Sequence, residues 1–364
     1  MKGVDRRRAG SRAVAIASSA TLLLGLAACS PAAPERSFAP SLSPSAAPSP
    51  TASSPSVGAA AEAYPFGPHT FWRSTLEGAP IAADSQAMVD YLVASITDRY
   101  NGVAAFNAHQ YNSPLYTVAA DAPTVDVRFD DCQGKGYLPD GLMEEGGQFT
   151  AVPMPPDAVP ATGTDGEVSI WSPSSDQIWE FWKAQKAPDG TWSACWGGRI
   201  DDVSTGDGRF PDHFGATATG LPNAGGVVRF GEIQQGRIDH AISIVIPNPA
   251  VSTDFSWPAQ RSDGVDSNPA ALPEGSRLRL DPSLDVTTLG LTPAATVIAR
   301  AAQQYGFVVV DRAGSVSVLA EQVDAPAGTD PWRQLLGGPD YSVLTGFPWS
   351  RLQVVQKDYG KPVT

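Results

Sequence analysis

The part of this chain that most constrains its fold is residues 209–246, RFPDHFGATATGLPNAGGVVRFGEIQQGRIDHAISIVI. It opens on small residues and closes on an apolar run, AISIVI, entered through an acid–imidazole pair, Asp239 and His240. Such a run reads as a strand with buried side chains. Polar groups at its mouth then need either internal partners or a function. Gly215, Ala216, Ala218 and Gly220 form a surface that a ligand or another stretch of chain can approach closely, because no long side chain keeps the backbones apart.

Around this crossing the signals are mainly β. The 364 residues include 35 Gly and 33 Pro, so turns are frequent, and few segments have helical periodicity. Alternation around Tyr116, Val118, Val125, Val127 and Phe129 predicts strands. QIWEFWKAQ and TWSACWGG flank Pro188-Asp189-Gly190 as a hairpin. LPEGSRLRLDP alternates Leu278 and Leu280 with Arg277 and Arg279, and FVVVDRAGSVSVLAE predicts a second hairpin turning at 312–314. One helix starts at Asp84 or Ser85, with Met88, Tyr91, Leu92 and Ile96 at helical spacing. Another covers 293–305, with Pro293 at its start and Gly306 beyond its end. The expected architecture is a single domain over 63–364, a large antiparallel jelly-roll-like β-sandwich with a few peripheral helices.

The first 28 residues have a basic start, an apolar run over 13–26 and small residues before Cys29, the three parts of a secretory signal. Leu26-Ala27-Ala28-Cys29 resembles the lipobox of bacterial lipoproteins, which implies acylation of Cys29 and an extracytoplasmic domain held at the membrane. Residues 29–62, rich in Pro, Ala and Ser, cannot bury a core and read as a disordered tether. The formal net charge is −13, and the basic residues of the first 28 positions make the remainder more acidic still. That balance argues against nucleic acid, which needs a dense basic surface. No feature points to a particular oligomeric state.

Setting Cys29 aside leaves Cys132 and Cys195, an even pair that favours one disulfide in an oxidising compartment. The four histidines show no HxxxH or CxxC-type spacing, so neither zinc nor any other cofactor is expected; the Asp201, Asp202 and Asp207 loop is the place where calcium would bind if it did.

Period two places Ile178, Glu180 and Trp182 on one strand face, and an acid between apolar neighbours there needs a partner, such as Arg199 across the sheet, or a catalytic role. His240 has the same two readings: a base, or a core imidazole satisfied by Asp239 or a carbonyl. Glu232 after Gly231 suits a cap, and Asp311 at a strand end suits a turn hydrogen bond.

Taken in order, TDGEVSIW, WEFW, GATATGLP, EIQQGRIDHAI, WPAQRSDG, LPEGSRLRLDP and YGFVVVDRAG resemble a widespread, mostly uncharacterised set of secreted bacterial, fungal and plant proteins with jelly-roll-like domains. The resemblance spans about 111–355, and Glu180, Glu232, His240, Arg261 and Asp311 fall on its polar positions. The chain departs from it at Gly166-Glu167, where Asp-x-His is usual; if that histidine is a ligand or base, the activity here is altered or lost.

Two functions follow as expectations. The first is a cell-surface carbohydrate-active enzyme, a glycoside hydrolase or polysaccharide lyase, with Glu180, Asp311 or Glu232 as carboxylates, His240 as base, and Trp182, Trp257 and Arg261 holding a polysaccharide. The second is a non-catalytic surface lipoprotein that binds a glycan or a protein with the same residues. A serine hydrolase is disfavoured, because no GxSxG elbow is present.

Overall fold

The structure, a computed structural model, describes residues 63–99, 102–211 and 213–363. The signal segment, the tether and Cys29 lie outside the described residues. In chain order the elements are α1 (Ser85–Thr97), β1 (Ala105–Asn107), β2 (Leu115–Thr117), β3 (Arg128–Phe129), β4 (Val168–Ser172), β5 (Gln177–Trp182), β6 (Gln185–Lys186), β7 (Trp192–Ala194) and β8 (Trp196–Ile200). There follow α2 (Asn223–Gly226), α3 (Phe230–Gln235), β9 (Ile242–Ile246), β10 (Arg277–Leu280), α4 (Pro293–Gln304), β11 (Phe307–Arg312), β12 (Ser317–Leu319), α5 (Pro331–Leu336) and β13 (Leu352–Val354). The domain is β-rich with few helices, and among the described residues none of them is long and apolar enough to cross a membrane.

The strands form a six-stranded sheet in the order β1-β12-β9-β11-β10-β13, a four-stranded sheet in the order β2-β4-β5-β8, and a small sheet of β3, β7 and β6. The expectation of a wholly antiparallel sandwich is corrected here: β9–β11, β1–β12, β2–β4 and β3–β7 all pair in parallel. The physical reason is visible in ISIVI and FVVV, which are apolar at nearly every position instead of alternating. Strands of that kind are covered on both faces, the setting in which parallel pairs occur. Ile242, Ile244, Ile246, Phe307 and Val309 face a core shared with α1 and α4, while Val245, Val308 and Val310 join a second core with Ile170, Ile178 and Phe181 of the four-stranded sheet.

Two local expectations also change. The segment 307–321 is not a hairpin, because β9 lies between β11 and β12 and pairs with both. In the segment 177–200 the turn falls at Asp189-Gly190, as expected, and β5 pairs with β8 so that Glu180 stands opposite Gly198. The two expected helices form. α1 buries Leu92 and Ile96 as expected, with Val89 beside them, while Met88 and Tyr91 are half-buried and Asp84 makes no side-chain cap bond. α4 is capped by Thr292, whose Oγ1 accepts from the Ala295 amide, and lays a stripe of alanines on the sheet.

Cys132 and Cys195 are bonded and close a segment of sequence separation 63. Restricting so long a loop in the unfolded chain contributes about 2–5 kcal/mol. Replacing both cysteines by serine is therefore expected to lower the urea midpoint of unfolding by an amount corresponding to that range; an unchanged midpoint would show the bridge to be idle.

Candidate functional site

A cleft of about 1800 Å3 opens where the carboxyl ends of β9 and β11 meet the edge of the four-stranded sheet, lined among others by Val245, Asp311, Trp182, Trp196 and Glu167. Ligands favour such strand ends because loops there are free to vary. Asp311 reaches the cleft through a bulge. Up to Val309 the strand alternates, with Phe307 and Val309 toward the helices and Val308 away from them. Between Val309 and Asp311 the register with β9 shifts, so Val310 stays in the second core and Asp311 comes level with Val245. Without the extra residue its carboxylate would point into the helix-packed core; bulges commonly re-aim a side chain in this way.

Once there, Asp311 Oδ2 accepts from the Ala218 amide at 2.9 Å and Oδ1 from its neighbour Arg312 at 2.7 Å. Burial carries its carboxyl up to about 7, opposed by the Ala218 amide and reinforced by the charges of Glu274 and Asp263. Glu167, immediately before β4, is raised well above the usual carboxylate range, first by burial and then by the negative charges of Glu180, Asp311 and Asp165. Asp165 lines the same cleft and accepts from Trp182 Nε1 at 3.3 Å. Buried Asn223 contributes its side-chain amide to the lining, and its Nδ2 makes no hydrogen bond of good geometry.

The rim is aromatic. Tyr111, Tyr137 and Tyr341 are 44%, 64% and 71% exposed; they are the exposed large aromatic side chains among the described residues, and all three line this cleft. Trp196 is partly occupied, with Lys135 Nζ 3.8 Å from the centre of its ring. His109 stands at the rim between Asp340 (2.7 Å) and Asp330 (3.0 Å); burial would lower its pKa, but the two carboxylates outweigh that and raise it.

Of the residues singled out in the sequence, Asp311, Trp182 and Arg261 line the cleft, whereas Glu180, Glu232, His240 and Trp257 do not. Glu180 is 1% exposed and accepts from the Asn223 and Ala224 amides at 2.9 and 2.8 Å, closing the first turn of α2; Arg199, its expected partner, is bonded to Asp201 instead. His240, also 1% exposed, has both ring nitrogens engaged, Nδ1 with the Ala241 carbonyl and Nε2 with Glu232, and it stacks on Tyr64. Glu232 Oε2 accepts from the Arg229 amide and so caps α3. These three satisfy one another or the backbone, and an acid–imidazole centre built from them has no open face. Trp257 packs edge-on to Phe71 beside Gly360, and its backbone amide donates to Asp358.

Arg261 answers the question of what packs on the small-residue crossing. Its guanidinium donates to the carbonyls of His213, Phe214, Gly215, Thr217 and Ala218, which suits a clamp on that loop better than a ligand contact. Gly215, at φ +104°, leaves no room for a Cβ beside Phe210. The aspartates 201 and 207 pair with Arg199 and Arg209. Glu167, Asp165 and the rim tyrosines were not singled out as site residues from the sequence; an acid directly before the fully buried strand VSIWS was the signal for Glu167.

No family model, curated protein or solved structure matches the chain.

The Glu180 carboxyl, raised by burial to about 7 against the pull of the two α2 amides, links stability to pH. From about pH 4.5 to 7 the folded state keeps a proton that the unfolded chain has released, so stability falls as pH rises through that window, by up to about 3 kcal/mol from this group. Unfolding titrations across the window should show that decline, and Glu180→Gln should flatten part of it; the same slope in the variant would contradict the assignment.

Proposed function

We propose that the cleft binds a polysaccharide chain and that Glu167 protonates the glycosidic oxygen during its cleavage, by hydrolysis or elimination. In this reading the domain works outside the cytoplasmic membrane, held there through lipidated Cys29. It is an altered member of the secreted family its motifs resemble, with Glu167 at the position where the pattern has histidine and with sheets that derive from a jelly-roll-like sandwich.

The observation that carries the reading is the pairing of three exposed tyrosines on the rim with a carboxylic acid held neutral in the floor. Sugars stack their apolar faces on aromatic rings, and glycoside cleavage needs a proton donor that is still protonated at the working pH. Burial and three neighbouring acids push the Glu167 carboxyl toward that form. A second carboxylate is also required, and Asp165 and Asp311 line the same space. The Asn223 side-chain amide opposes the push on Glu167 by hydrogen bonding to it.

One observation favours the non-catalytic alternative. Both oxygens of Asp311 are tied to backbone amides and Arg261 is committed to carbonyls, so much of the polar lining secures loops. The two readings separate at Glu167. Glu167→Gln is expected to lower turnover of a cleaved polysaccharide by at least about 100-fold, the usual loss with a general acid, while leaving affinity intact. A polysaccharide panel that is bound but cut by neither form would establish the binding module instead. Replacing Tyr137 and Tyr341 by alanine should weaken polysaccharide affinity by roughly tenfold in either case; unchanged affinity would place the ligand elsewhere.

A further inference from the structure

Asp263, Glu274 and Asp311 come from three separate segments, and one side-chain oxygen from each lies within 4.8 Å of the other two. Glu274 is fully buried: Oε2 accepts from the Asp263 amide at 3.1 Å, the Ser262 hydroxyl lies close enough to oppose the burial that raises its carboxyl, and buried Oε1 makes no hydrogen bond of good geometry. A carboxylate held inside a protein with an oxygen left over is costly unless a cation or a donor meets it. Asp311 is held in place by the Ala218 and Arg312 amides, each of which leaves its oxygens spare lone pairs. Asp263 is exposed and lines the cleft, and Arg312 Nη2 stands 3.5 Å from its Oδ2, longer than a good charged hydrogen bond. Burial first, and then the charges of these neighbouring acids, push the Glu274 and Asp311 carboxyls up, as crowding of like charges does.

We infer that Asp263, Glu274 and Asp311 bind a hard divalent cation of the calcium class, admitted from the cleft past Asp263. The ligand set is all oxygen, which disfavours metals that seek nitrogen or sulfur. Calcium holds its oxygens at about 2.3–2.6 Å, so ligands on opposite sides of it lie roughly 5 Å apart, a span that accommodates the observed cluster. The remaining positions fall to water or to oxygens of whatever occupies the cleft. A cation here would join the 261–264 loop, the 273–275 turn and the end of β11 at the cleft floor. The inference is independent of the polysaccharide reading.

The test uses the purified full-length chain, stripped with EDTA and dialysed, then titrated with CaCl2 and separately with MgCl2 by calorimetry and thermal melting. One calcium per chain is expected, bound at least tenfold more tightly than magnesium and raising the melting temperature. Glu274→Gln should weaken calcium at least tenfold and remove the calcium-dependent rise. Asp263→Asn, at an exposed position that folding can spare, should weaken it as well. Absence of saturable calcium binding, magnesium binding of equal strength, or parental affinity in both Glu274→Gln and Asp263→Asn would overturn the assignment.

Discussion

A carboxylate sealed inside the protein joins the two larger sheets. Glu180 projects from β5 of the four-stranded sheet and takes the first two amides of α2, whose four residues lie against β9 of the six-stranded sheet. The fit is close: a Cβ at Gly226 would come within 2.0 Å of Ser243 Oγ, and one at Gly225 within 2.3 Å of the Trp72 ring. Only glycine lets the helix approach this far, and only an acceptor on β5 satisfies amides that would otherwise be buried unpaired. Removing one polar partner leaves the other exposed to the full cost of desolvation, so the acid and the helix stand or fall together.

That arrangement also shapes the cleft. Asn223, the first residue of α2, contributes its side chain to the lining, and after burial the Glu180 carboxylate is the next contributor to the rise of the Glu167 carboxyl. A group committed to structure thus tunes a group that is free to act. The bulge in β11 completes the floor, since the same strand that supplies Val309 to the helical core delivers Asp311 to the opposite side two residues later.

Much of the fold was legible because it rests on local chemistry. Pro293 at the start of α4 and Gly306 beyond its end, the Asp189-Gly190 turn and the cysteine pair each act over a few residues or by simple parity. Strand order was not legible. FVVVDRAGSVSVLAE has a hairpin's composition, yet β9, more than sixty residues earlier in the chain, inserts between its halves; apolar strands covered on both faces carry little record of which neighbour they choose. The site was half legible for a related reason. Buried acids and an imidazole were correctly read as needing partners, but a single strand pattern does not say whether the partner is a substrate or the protein itself. For His240, Glu232 and Glu180 the partners proved internal. Asp311 reached the cleft through a register shift that no periodicity reveals.

The identity of residue 167 then bears on chemistry rather than on fold. A histidine among Asp165, Asp311 and Glu180 would be drawn toward its charged form by their negative charges, whereas a glutamate in the same place is pushed toward neutrality. An imidazolium gives up a positive charge when it donates, whereas a carboxylic acid leaves a new negative charge beside other acids. In the proposed reading, donation from Glu167 would therefore be easiest when something positive stands nearby to offset that charge, either a sugar ring developing oxocarbenium character or a cation at the neighbouring carboxylates. In the proposed reading, glutamate at this position keeps a proton donor in the cleft while changing the electrostatic conditions under which the proton can leave.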